Sequence, residues 1–230
     1  MTDRPVVVER VATPRGELVL RRDGVHYEVI SNGTFLMDTR DGRSERLLTS
    51  AALARHPEPL AVLIAGLGVG FSLVEALADD RVRRIDVVEI EPALIDWHRS
   101  HLTGYSGSAL ADPRVGVIVD DIVTHLRSTA TRYDVICLDV DNGPGWTVTA
   151  GNAALYDDGG TELIESRLLD GGVLSVWSAA PAPAYRVVLD RHFASVGEHA
   201  IMVARGEPDV VIVASGSRGV RQRDDDRDCS

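Results

Sequence analysis

The sequence predicts an α/β fold: a doubly wound, mostly parallel sheet with a reversed last strand, preceded by a small antiparallel β appendage. Three observations carry this. Ala61 to Glu91 reads as an apolar run, a glycine turn, a helix and a second apolar run ending in acid. After it, strand-like and helix-like segments alternate until two strands follow each other without a helix between them. Ahead of it, short β-type runs are separated by Asp23-Gly24 and Asn32-Gly33, dipeptides that favour hairpins.

The appendage reads as strands Val6–Val11, Glu17–Arg22, His26–Ile30 and Thr34–Asp38, with a further turn at Pro14-Arg15-Gly16. Ser44–Ala54 is a leading helix. Ala61–Ala65 is the first strand of the main sheet, Gly66-Leu67-Gly68-Val69-Gly70 its turn, Phe71–Leu77 a helix and Ile85–Ile90 a second strand. Pro92–Leu102 is a helix with proline in its first turn, where the missing N–H costs little, and Thr103–Ala111 is a glycine-rich loop. Val115–Val119 is a strand ending in Asp120-Asp121, Ile122–Ser128 a helix, and Tyr133–Val140 a buried strand running into an acidic loop from Asp139 to Trp146. Thr161–Leu169 (helix), Val173–Trp177 (strand) and Ala184–Ala194 (helix) follow, and Ala200–Ala204 with Val210–Ala214 forms a closing hairpin. The division expected is a β region with its leading helix over 1–50, a nucleoside-binding catalytic domain over 51–216 and a disordered tail over 217–230, where apolar residues are few.

At 230 residues, 44% hydrophobic and with near-zero mean hydropathy, the chain matches an ordinary globular protein with one sizeable core. A net charge of −11 argues against a nucleic-acid partner, since phosphate binding needs clustered cations. It leaves a small cationic substrate open. Cys137 and Cys229 suggest no disulfide framework, and a reducing cytoplasm fits. Nothing reads as a signal or transit peptide, and no apolar run approaches the roughly 20 residues of a membrane helix. A homodimer is compatible with these features.

Ligands of doubly wound sheets bind beyond the carboxyl ends of the strands. Gly66 to Gly70, Glu89 and Glu91, Asp120 and Asp121, and Asp139 to Asn142 all fall there, so they should converge on one cleft. Small residues in the turn allow a ligand close to the backbone, and an acid about twenty residues on can accept from ribose hydroxyls. The dinucleotide pattern wants a third small residue where Phe71 stands. The G-x-G-x-G run at Gly66, Gly68 and Gly70 instead suits S-adenosylmethionine, which has no pyrophosphate. Glu89 is the candidate for ribose, against a solvated strand-end acid. Asp120 or Asp121 could meet adenine, or could cap the next helix.

Asp139 and Asp141 could accept a proton from an attacking amine or hold an ammonium, or organise an Asx-type turn with Asn142. Trp146, Tyr156 and Trp177 are candidate pocket walls, although aromatic residues beside strand ends are more often core. The histidines on the expected elements lack metal-ligand spacing, so no metal site is expected. Ser178 lacks the surroundings of a hydrolase nucleophile.

In their order, the leading SERLL helix, VLIAGLGVG, VVEIEP, DPRVGVIVDD, YDVICLDV and LLDGGVLSVW resemble the spermidine synthase (polyamine aminopropyltransferase) family over about Gly16 to Ser215. The resemblance implies a small β domain before a Rossmann-like SAM-methyltransferase fold. It implies ribose binding by Glu89, adenine contacts near Asp120 and Asp121, and Asp139 as the acid that deprotonates the attacking amine. Three positions depart from the family pattern. Val69 stands where the family's aspartate holds the aminopropyl ammonium of decarboxylated S-adenosylmethionine. Asn142 replaces the second, amine-holding aspartate. Arg43-Ser44 replaces an aromatic residue and Gln or His ahead of Glu45.

An apolar Val69 cannot pair with a cation. Putrescine N-methyltransferases look like family members that have lost this aspartate. The function expected is therefore a SAM-dependent transferase moving a methyl group from S-adenosylmethionine to an amine or other small nucleophile. Aminopropyl transfer from decarboxylated S-adenosylmethionine and a non-catalytic nucleoside binder are the alternatives.

Overall fold

The computed structural model describes residues 4–145, 147, 151–203 and 206–218. Strands β1 (Val6–Thr13), β2 (Gly16–Asp23), β3 (His26–Ser31) and β4 (Thr34–Asp38) form an antiparallel meander, with Asn32 and Gly33 both at positive φ in the expected Asn-Gly turn. Helix α1 (Arg43–Arg55) follows. The main sheet takes β5 (Ala61–Ala65), β6 (Arg84–Glu89), β7 (Val115–Val119), β8 (Tyr133–Leu138), β9 (Leu168–Ser178), β10 (Phe193–Ile201) and β11 (Asp209–Ser217) in the order β10-β11-β9-β8-β5-β6-β7. Helices α2 (Phe71–Leu77), α3 (Pro92–Arg99), α4 (Thr103–Ser106), α5 (Ile122–Ser128), α6 (Asp158–Ser166) and α7 (Pro183–His192) lie between its strands. β5, β6, β7, β8 and β9 pair in parallel; β11 is antiparallel to both β9 and β10. The reversed last strand is thus inserted inside the sheet.

Each face of the main sheet buries one apolar layer. Leu63, Ile136, Leu138, Leu174, Val176 and Ile212 pack toward α5, α6 and α7. Val62, Ile64, Val135, Val173, Val211 and Val213 pack toward Leu48, Ala52 and Leu53 of α1 and Leu73 of α2. Period-two alternation on strands buried on both faces explains both layers. A third cluster joins Leu18, Leu20 and Val29 of the small sheet to Leu94, Trp97 and Leu102 around α3, with Val69 and Phe71 at its centre. Each such buried side chain contributes about 1.5–3 kcal/mol, so the two sheets are bound firmly together.

Several boundaries differ from expectation. α6 starts at Asp158, because Asp157 caps it by accepting from the Gly160 N–H at 2.8 Å, and stops at Ser166, because Leu168 already pairs with Tyr133 in β9. The register between β8 and β9 slips between that pair and Val135–Val173, so Gly171-Gly172 lies within an irregular strand rather than before it. β10 begins directly after α7 at Phe193, not at Ala200. α4 interrupts the loop expected after α3. The division expected at residue 50 falls inside α1, whose buried face belongs to the main sheet. The tail expected from 217 begins inside β11, where Ser217 pairs with Phe193; residues 219–230 lie outside the described residues. No described helix is long and apolar enough to cross a membrane.

Candidate active site

The turn after β5 is built by close backbone approach. The Gly66 N–H donates to Val88 O at 3.0 Å, and Asp139 N–H donates to Ala65 O at 2.8 Å as the chain leaves β8. A Cβ on Gly66, which sits at φ +89°, would lie 2.0 Å from the Asp139 carbonyl oxygen. Only glycine fits between the two strand ends. Gly70, also left-handed, faces the His98 ring.

His98 is buried on α3. Its Nε2 lies 3.0 Å from Gly68 O and its Nδ1 2.9 Å from Ser106 Oγ. A carbonyl can only accept, so Nε2 carries the proton and Nδ1 accepts from the serine. Burial pushes the His98 pKa below its usual value. The unfolded state then takes up this proton first, so the stabilisation is complete above the unfolded pKa near 6.5 and is lost as pH falls through it. His98→Ala should melt well below the wild type at pH 8, with the gap narrowing toward pH 5.5; a gap independent of pH would remove the titration from the explanation.

Glu89 ends β6 and is 5% exposed. Its Oε2 accepts from Leu67 N–H at 2.9 Å and its Oε1 from Glu91 N–H at 2.8 Å. Burial raises its pKa, and those two N–H groups oppose the rise. The expected ribose acid is therefore fixed to the glycine turn. Asp121 accepts from Thr124 N–H at 2.9 Å and caps α5, the structural role left open for it. Asp120 accepts from Asp121 N–H at 2.8 Å and stays half-exposed at the end of β7.

Asp139 lies at the centre. It is half-buried, and desolvation raises its pKa well above the ordinary carboxylate range, with the charges of Glu45, Asp209 and Glu89 adding to this. Burial likewise raises Glu45 and Asp209. Arg43 is the cation acting on Asp209, and it is already paired with Asp41 at 2.7 Å. Three carboxylates with no ion pair of their own among the described residues thus meet at one end of the sheet. A carboxylate of raised pKa can accept a proton near neutral pH, and its neighbours favour a cation beside it.

Other expected residues fall elsewhere. Val69 is 3% exposed and packs with Leu18, Leu20 and Trp97 rather than lining a polar site. Asp141, at φ +55°, accepts from Asn152 Nδ2 at 2.8 Å. Asn142 holds Ala179 N–H through its carbonyl, and its side chain is half-exposed. Trp177 is half-buried on the α1 side of β9, next to Asp209. Tyr156 is core, edge-on to Tyr185 with ring centroids 5.2 Å apart. Trp146 lies outside the described residues. Cys137 is a free, buried thiol, pushed up to about 12 by burial.

Sequence reasoning missed Asp209 and noted Glu45 only as a motif position, whereas His98 is packed, one of the two readings it allowed. Glu45 carried a signal, an acid in the first turn of the leading helix. Asp209 carried none, because its place depends on β11 running backwards inside the sheet. A reversed strand brings its first residue to the edge where parallel strands bring their last.

Comparison with known proteins agrees with this fold. Residues 43–190, more than half of the chain, match the model of the spermine/spermidine synthase domain. The chain is 37% identical over 134 residues to polyamine aminopropyltransferase 2 of Pseudomonas aeruginosa, covering 56% of this chain and 36% of that protein. It is 30% identical over 137 residues to polyamine aminopropyltransferase 1 of the same organism, covering 59% and 46%. It therefore spans about a third to a half of the length of the curated relatives it matches. The fold is similar to spermidine synthase from Thermotoga maritima, with TM-score 0.73, 18% identity, and 91% of this chain and 72% of that one covered. It is also similar to a spermidine synthase in complex with the transition-state analogue AdoDATO, with TM-score 0.75, 18% identity, and 94% and 76% covered. The protein belongs to the spermine/spermidine synthase domain family.

Proposed function

We propose that this protein is an aminopropyltransferase, moving the aminopropyl group of decarboxylated S-adenosylmethionine to an amine acceptor. The observation that carries the reading is Asp139, a half-buried carboxylate at the end of β8 with its pKa raised and with Glu45 and Asp209 near it but no paired cation. The relatives named as polyamine aminopropyltransferases support it. They shift the preference away from the methyl transfer expected from Val69 alone.

The donor fits the residues present. The glycine turn packs against the Asp139 main chain at Gly66, and Glu89 stands at the end of β6 bound to that turn through Leu67 N–H. In the reaction the neutral acceptor nitrogen attacks the carbon next to the sulfonium. The carbon–sulfur bond breaks, its electron pair stays on sulfur, and methylthioadenosine leaves. The nitrogen proton passes to the Asp139 carboxylate. Sulfonium is a good leaving group, so the chain's contribution is placement and proton removal. Glu45 and Asp209 favour the charge of an acceptor bearing a second ammonium.

Methyl transfer from S-adenosylmethionine is the second reading, favoured by one observation: Val69 is buried among apolar residues, so the glycine turn offers no carboxylate to an aminopropyl ammonium. Incubation with each donor and a panel of monoamines and diamines, followed by mass analysis of the products, separates the two. Aminopropylated diamine is expected, with Asp209→Asn raising KM for the diamine more than it lowers kcat. A methylated product would replace the proposal with the second reading, and donor binding without product would leave a nucleoside-binding protein.

A further inference from the structure

Glu91 stands at the N-cap of α3, two residues after Glu89, and is 8% exposed. Its Oε1 accepts from Arg15 Nε at 2.6 Å and from Thr13 Oγ1 at 3.3 Å. Arg15 also donates from its second guanidinium nitrogen to Ile90 O at 2.6 Å. The turn between β1 and β2 therefore reaches across from the small sheet and clasps the segment that carries the ribose acid. The other Glu91 oxygen, Oε2, is enclosed and receives no donor. Glu89, by contrast, has a backbone N–H on each oxygen.

An enclosed carboxylate oxygen without a donor is rare and unfavourable. A ribose supplies two adjacent hydroxyl donors, and Glu91 is tied to the candidate ribose acid, its N–H donating to Glu89 Oε1 at 2.8 Å. We infer that Glu91 is a second ribose acceptor, positioned by Arg15, so that recognition of the nucleoside is shared between the two sheets. The ligand class is a nucleoside with both ribose hydroxyls free, and the inference rests on the donor reading above. Arg15 stands at the exposed tip of the Pro14–Gly16 turn, which Asn32 pins by donating from its Nδ2 to Arg15 O at 3.1 Å. Arg15 is a positioning residue: its two contacts, to a carboxylate and a carbonyl, need the guanidinium fork, which lysine lacks.

The test is calorimetry of methylthioadenosine and of its 2′-deoxy and 3′-deoxy forms with the full chain. The wild type should bind the parent about 10-fold or more tightly than at least one deoxy form. Glu91→Gln keeps one acceptor but puts an NH₂ where a hydroxyl must donate. It should lose about 10-fold for the parent and no longer distinguish that deoxy form. Arg15→Ala should weaken the same discrimination, with Arg15→Lys between it and the wild type. A folded Glu91→Gln protein that keeps the wild-type affinity or the wild-type discrimination overturns the inference. If that variant does not fold, unchanged discrimination in Arg15→Ala overturns it. A wild type that binds none of the three overturns the donor reading itself, and the Glu91 assignment with it.

Discussion

Asp139→Asn is expected to lower turnover by about 10²–10⁴-fold, the usual contribution of a positioned base, while methylthioadenosine still binds. The asparagine keeps the backbone link to Ala65 and the shape of the side chain but cannot take the acceptor proton. A second effect has the opposite sign. The folded-state pKa of Asp139 is raised, so its contribution to stability is present below its unfolded pKa and is lost as pH rises through the folded value. At neutral pH the ionised group opposes folding, and the variant should melt above the wild type. A protein that gains stability and loses chemistry has lost a functional charge. Single-turnover product formation together with melting at pH 7.5 reads both, and unchanged turnover would remove Asp139 from the mechanism.

Gly66→Ala is expected to be the most damaging single-methyl change in the nucleoside turn, at about 2–3 kcal/mol or more. Left-handed backbone strains any L side chain, and the added carbon would meet main chain, the Asp139 carbonyl, which cannot rotate aside. Relief requires β5 and β8 to part at the ends that present Leu67 and Asp139. Stability and activity should fall together here, unlike in Asp139→Asn. Denaturant unfolding checks the first and the product assay the second; a stable, active Gly66→Ala protein would show that the two strand ends are looser than the structure has them.

Much of this was legible in the residues. The turn dipeptides and alternation of the small sheet, and the unit from Ala61 to Glu89, each rest on local chemistry that the three-dimensional context only reinforces. The edges were less so. Gly171-Gly172 reads as a strand start, yet the long-range pairing of Leu168 with Tyr133 extends the strand across it. β10 was placed seven residues late because Gly197, Glu198 and His199 break the apolar alternation of a partly exposed edge strand. At the site, Gly66, Glu89 and Asp139 follow from position relative to strand ends. Asp209 and Arg15 arrive from segments far away in the chain, and their roles depend on topology that no local pattern encodes.

Val69, which by the resemblance stands where the family pattern has its aspartate, belongs to the apolar cluster that joins the small sheet to the main domain. This makes the difference hard to undo in a single step. An aspartate at 69 would enter an apolar cluster with Leu18, Leu20 and Trp97, where an unpaired charge is strongly disfavoured. Room for it would have to be made first, on the facing strand β2 or on α3. The order of substitutions therefore matters along any path from this chain to one with an acid at 69, and a graft of the loop alone would test tolerance of the interface before it tested substrate choice.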